Sequence, residues 1–276
     1  MKKAILIAIV GAMTLGVNAG DWGKAPVDKT PIEECYDIGG EISSGYMTDY
    51  LFYGVRYARD SVWTDVNYTF DNFVVPITIG AWYLNGTNDT NTSNNSYDEL
   101  DLYASAALGT YFGFDTSLSY THFFFPENSS SSYGEIGFDV SRSLGFVDFI
   151  AEANYGLVGS GDDDGGGWYY AAGFEKTFGI TDSISLVLGT GIGYSDNYFS
   201  GPKVGATVQD GEDSGWNHYY VTASLPIALN CRATLTPYVS YNGAPSGFVA
   251  DGINANTGLG QQSDILSGGV SLSVSF

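Results

Sequence analysis

The residues of this chain best able to act chemically are its carboxylates. The sequence holds 31 Asp and Glu against 10 Lys and Arg, a formal charge of −21. Asp49, Asp65, Glu99, Asp101, Glu135, Asp139, Asp148, Glu152 and Glu175 fall at alternate positions of stretches whose other positions are mostly apolar. In ELDLYASAALGTYF, Glu99, Asp101, Tyr103 and Ser105 alternate with Leu100, Leu102, Ala104 and Ala106. In YGEIGFDVS, Glu135 and Asp139 alternate with Ile136, Phe138 and Val140. A strand sends successive side chains to opposite faces, so one face of each stretch is polar and the other greasy. Acids gathered on a wet face attract cations and repel anions. Arg232 is the one base this pattern places among them.

Other chemistry was weighed on the same terms. The chain has two histidines, His122 and His218, with neither metal-ligand spacing nor a His-Glu-x-x-His motif. His122 has outward parity and His218 sits near a mouth, so both read as lining residues. No Gly-x-Ser-x-Gly elbow is present. Gly189-Thr190-Gly191-Ile192-Gly193 reads as a strand with small residues on its polar face, which leaves room there. The Asp162-Asp163-Asp164 run in GSGDDDGGG lacks the spaced ligands of a calcium loop and reads as a solvated tip. The expectation is no enzyme, no metal and no cofactor. A polyanion also lacks the basic footprint that nucleic-acid binding needs.

What must position the acids is a run of about twelve period-two segments, beginning near Ile38, Ser61, Phe73, Tyr97, Asp115, Ser132, Phe146, Gly167, Asp182, Gly215, Cys231 and Ser263. The breaks between them alternate in length. Short ones include Asp71-Asn72, Gly113-Phe114, Leu144-Gly145 and Leu229-Asn230. Long ones include NGTNDTNTSNNS, FPENSSSS and GAPSGFVADGINANTGLGQQ, and GVRYARD joins that set by order. Short turns at one end and long loops at the other are the pattern of a closed up-and-down antiparallel transmembrane β-barrel. Aromatics near segment ends, among them Tyr83, Phe124, Trp168 and Trp216, are candidate interfacial girdles. The acid-rich inner face then implies a hydrated lumen, because unpaired buried carboxylates are costly.

The N-terminus reads as an export leader. Lys2 and Lys3 precede a short apolar run, and Val17-Asn18-Ala19 offers a cleavage site, so 1–19 is expected to be removed. Residues 20–37 then form a periplasmic segment, either a loose tail or a plug, ahead of a barrel spanning 38–276. Cys35 lies just before the first strand and Cys231 at the turn before the eleventh, both at the short-turn end. A disulfide between them would fasten the N-terminal segment.

The chain's last residues, GGVSLSVSF, place Val270, Leu272, Val274 and Phe276 on one face and serines on the other. This resembles the C-terminal signal strand of Gram-negative outer-membrane β-barrel proteins of the porin-like kind. The resemblance implies the bacterial outer membrane, its lipids, periplasmic chaperones and recognition by the barrel assembly machinery. Tyr50-Leu51-Phe52-Tyr53-Gly54 is similar to the Tyr-x-Phe-Arg-Gly stretch of an uncharacterised outer-membrane family, with Tyr53 where that family has Arg. The reading that follows is a narrow, cation-preferring passive channel for small hydrophilic solutes. A structural or adhesion barrel with functional outer loops is the alternative.

Overall fold

The computed structural model describes residues 38–87, 96–126, 132–157, 166–199, 214–254 and 264–276. The strands are β1 (Gly40–Phe52), β2 (Val55–Phe70), β3 (Ile77–Thr87), β4 (Ser96–Tyr111), β5 (Phe114–Phe124), β6 (Tyr133–Ser143), β7 (Asp148–Gly156), β8 (Trp168–Gly179), β9 (Ser185–Asp196), β10 (Ser214–Ser224), β11 (Ile227–Ala228), β12 (Ala233–Gly243) and β13 (Asp264–Ser275). Strand β11 is two residues that resume the line of β10 beyond Pro226, so the wall has 12 strands. One short helix, α1 (Val249–Asn254), follows β12.

Every long strand pairs antiparallel with its neighbours in the chain, and the sheet closes where β1 meets β13. The register there runs from Glu41↔Ser275 to Met47↔Gly269. Phe276 seals the junction: its carbonyl accepts from the N–H groups of Ile38 and Gly40, at 3.0 and 3.2 Å. Closure matters because an open edge would leave backbone groups unpaired in a medium that cannot hydrogen-bond them.

The barrel is inside out relative to a soluble domain. Ile42, Val62, Val66, Leu102, Phe138, Phe174, Leu188, Val239 and Leu272 are exposed on its outside, while Ser43, Thr78, Ser119, Thr121, Ser271 and Ser273 are buried within. An apolar surface on all sides belongs in lipid. Aromatics bound it, with Tyr83, Phe124, Trp168, Tyr194 and Trp216 near the long-loop end. At the short-turn end Phe73, Val74, Phe112, Phe146, Ile180 and Leu229 are exposed, so nearly every short turn carries an apolar side chain into the boundary.

Two boundaries differ from the sequence reading. The third strand begins at Ile77, not near Phe73, because Pro76 supplies no N–H to a ladder. More consequentially, GVRYARD is not a loop. Only Tyr53 and Gly54 turn, and Val55 to Asp60 belong to β2.

Candidate functional site: an arm in an acid-lined lumen

The first hairpin leaves the wall. Strand β1 is laddered to β13 only as far as Met47, and β2 to β3 only from Arg59 onward. Among the described residues, the stretch 48–58 finds ladder partners only within the hairpin: Asp49↔Arg59, Tyr50↔Ala58, Leu51↔Arg56 and Phe52↔Val55. The register slips twice along β2, where Tyr57 is extra between the Tyr50↔Ala58 and Leu51↔Arg56 pairs and one more residue is extra between Arg59 and Val62, with Asp60 at φ 45°. Such bulges bend strands. Beyond them Tyr50, Leu51, Phe52, Tyr53, Val55, Arg56 and Ala58 are all buried, on both parities. A wall strand buries one face. This arm buries two because it lies inside the barrel.

The tip of the arm crosses to the opposite wall. Tyr53 and Gly54 have φ 48° and 80°, so both central turn residues are left-handed. That geometry suits tight hairpins, but a tyrosine in it is strained. The seat offsets the strain. The Tyr53 ring stacks on Tyr169 of β8, with centroids 3.7 Å apart, and its hydroxyl donates to both Glu135 oxygens of β6 at 3.1 Å. Asn217 of β10 donates to the Tyr53 carbonyl at 2.5 Å, and Asn242 of β12 to that of Gly54 at 3.4 Å. A Cβ on Gly54 would fall 2.5 Å from the His218 ring, so the approach needs glycine. Helix α1 packs against β2 and β10, with Val249 and Ala250 buried. Tyr50, Phe52, Trp82, Phe123, Tyr169, Tyr198 and Phe199 make this level an aromatic core.

The acids are answered mainly by hydroxyls. Glu135, 2% exposed, also accepts from Tyr198. Glu99 accepts from Tyr97 at 2.7 Å and Tyr50 at 3.1 Å. Asp65 accepts from Tyr103 at 2.9 Å and from the Asn67 amide at 2.9 Å. Asp139 accepts from Ser117 at 3.0 Å, and Glu152 from Asn154 at 3.2 Å. Asp101 is fully buried beside Glu99 on the same face of β4. The ion pair here is inside the arm, Arg56 Nε to Asp49 Oδ1 at 2.9 Å, and it ties the two strands of the arm together.

The acids also form a column. Asp148 stands opposite Glu175 between β7 and β8, and Glu152 opposite Asp139 between β6 and β7. Glu135, opposite Gly156, comes next and touches the arm. Positions 148, 152 and 156 are four residues apart, ~13 Å along a strand. Carboxylates therefore recur from the short-turn rim to the underside of the arm. Among the described residues, no three His, Cys, Asp or Glu converge to hold a metal ion.

Of the acids expected by parity on the inner face, Asp101, Glu135 and Asp139 are buried, and the sequence reading missed what meets them. Arg232 is exposed in the turn before β12, not on a strand, and its carbonyl accepts from Ser275. The buried base is Arg56, hidden in the stretch read as a loop. The inward glycines do not leave room either. The Tyr220 hydroxyl occupies the place a Cβ on Gly191 would take, and the Tyr169 hydroxyl that of Gly193. Period two identifies an inward glycine, but only the register names the tyrosine lying on it.

His218 is fully buried. Asn242 donates its amide to Gly54, so its Oδ1 accepts from His218 Nδ1 at 2.6 Å, and Nε2 is left to accept from Tyr169 at 2.7 Å. His122 lies on the outer surface between Tyr120 and Phe124. Val270, Leu272 and Val274 face outward. Cys231 is in a disulfide. Cys35, the chain's other cysteine, lies outside the described residues, as do residues 1–19, expected to be a leader, the 20–37 segment and Asp162 to Asp164.

These features define a closed 12-strand antiparallel β-barrel of the membrane-spanning type, apolar outside and polar within. Among solved structures, an outer membrane channel from Pseudomonas putida F1 is similar over 91% of this chain and 100% of its own, with a TM-score of 0.53 and 11% identity. The KdgM porin matches over 86% and 99%, at 0.49 and 9%, and the NanC porin over 86% and 100%, at 0.48 and 12%. At such identities the likeness is one of fold. No family model and no curated protein sequence matches the chain, so the Tyr50–Gly54 stretch brings no family with it.

Proposed function

We propose that this chain is an outer-membrane channel for small hydrophilic solutes, passive, narrow and cation-preferring. The acid column carries the reading: Asp148, Glu175, Glu152, Asp139 and Glu135 succeed one another along one side of the lumen. Carboxylates placed directly opposite each other repel, and a fold that needs only stability has no use for them. They draw cations into a low-dielectric passage, where rings of acids select by charge. Asp65 and Asp101 extend the negative field to β2 and β4.

The chain would reach the membrane by export, loss of residues 1–19, and delivery by periplasmic chaperones. The barrel assembly machinery would read Val270, Leu272, Val274 and Phe276. The test is single-channel recording of the mature chain in a planar bilayer under a KCl gradient. The expected reversal potential is that of a cation-preferring pore, and Asp139→Asn with Glu152→Gln should move it toward zero. An anion-preferring reversal potential would overturn the proposal. The arm favours a second reading, a closed barrel whose outer loops do the work; that reading expects a folded, inserted protein that never conducts.

A further inference from the structure

We propose that the hairpin arm, residues 48–58, is the movable gate of this lumen. The inference rests on the channel reading and deepens it. Three observations carry it. First, the arm is not part of the wall: its ladder to β13 ends at Met47 and its ladder to β3 at Arg59. Second, β2 carries two register slips at the base of the arm, an extra residue at Tyr57 against β1 and another between Arg59 and Val62 against β3. Bulges so placed form a bend at which the ribbon can swing without unzipping the barrel. Third, the arm is braced within itself and seated at its tip. Arg56 and Asp49 pair across its two strands. Its tip is held by a stacked ring and hydrogen bonds at Tyr53 and Gly54, and its flank by Tyr50, which donates to Glu99, and Phe52, which meets Phe123 edge-on.

An isolated two-stranded ribbon is marginal in water, so its position depends on that seat. Seated, it fills the lumen with Phe52 and Tyr53 among Tyr169, Tyr198 and Phe199. Unseated, it leaves the acid column below continuous with the outer mouth. Tyr53 is the latch, and Glu135 is at once the top of the column and the keeper of the latch. The ions that the column draws in arrive at the group that holds the gate.

The experiment compares single-channel traces of four proteins, each first shown to be inserted by its heat-modifiable gel mobility. They are the wild type, the variants Tyr53→Ala and Gly54→Ala, and an armless form in which Asp49 to Ala58 are replaced by Asn-Gly. The replacement is a two-residue turn that leaves the wall ladders intact. The gate predicts a wild type that flickers between closed and a fixed open level, and an armless form that stays at that level. Tyr53→Ala and Gly54→Ala should raise the open fraction about tenfold or more, the scale expected for losing a buried bond to a charged group. Steady conductance in the wild type, equal to that of the armless form, overturns the gate and leaves the channel standing. A wild type that never opens beside a conducting armless form overturns it too, leaving a fixed plug. Silence in all forms overturns the channel as well.

Discussion

Asp139 and Glu152 stand directly opposite one another on the lumen side of the β6–β7 ladder, each held by a neutral neighbour, Ser117 or Asn154. Like charges so placed destabilise a sheet by about 0.2–1 kcal/mol. Asp139→Asn with Glu152→Gln should therefore stabilise the barrel by that order in urea unfolding while weakening cation preference. A stability loss would mean that the pair is held by something other than repulsion offset by function.

Gly80 lies under the Tyr103 ring, so that a Cβ would overlap its hydroxyl end, and Tyr103 in turn donates to Asp65. Gly80→Ala should destabilise by about 1–3 kcal/mol, as overpacking does. Tyr103→Leu in the same chain should recover part of that loss. The double-mutant cycle in urea measures the coupling, and additive losses would show that the ring does not rest on the glycine.

Phe276 closes β13 onto β1 through backbone bonds, yet its side chain is the part that the assembly machinery would read. Phe276→Ala should leave detergent refolding nearly intact and lower the amount of folded barrel in cells several-fold. Equal amounts of wild type and variant in the outer-membrane fraction would remove the C-terminal signal from the account.

Cys231 sits in the turn before β12, and its disulfide would fasten the N-terminal segment across the closing strands. Cys231→Ser should abolish the mobility change between reduced and oxidised samples. It should also lower stability by about 2–4 kcal/mol, the usual scale for a native cross-link. Unchanged urea midpoints would mean that the link ties down a segment on which the wall does not depend.

Much of the wall was legible in the sequence, since alternation is a local property. Leu100 and Asp101 declare their faces to anyone who knows that side chains alternate. Alternating turn lengths then gave the topology, and the inward acids followed by parity. The arm was not legible. Arg56 and Arg59 look like loop residues because polar and apolar positions lose their alternation where both faces are covered, and Val55 and Arg56 are both buried. The role of the tyrosines went unseen for a related reason. A tyrosine near a strand end suits a lipid interface or a lumen equally, and Tyr97, Tyr133 and Tyr169 took the inside, where their hydroxyls meet Glu99, Tyr198 and His218. The signal available was inward parity of Tyr103 on a strand rich in acids. The register that lays Tyr220 over Gly191 is a long-range fact no local pattern contains.

The seat of the arm has a consequence for the order of events in folding. Tyr53 belongs to the first hairpin to leave the ribosome, but the groups that receive it are Glu135, Tyr169, Asn217 and, through Gly54, Asn242. None of those contacts exists until β6, β8, β10 and β12 have taken their places, and such distant partners are slow to find. The earliest-made strands are therefore completed last at their tips. The centre of the barrel is thus the part that waits for the rest of the wall.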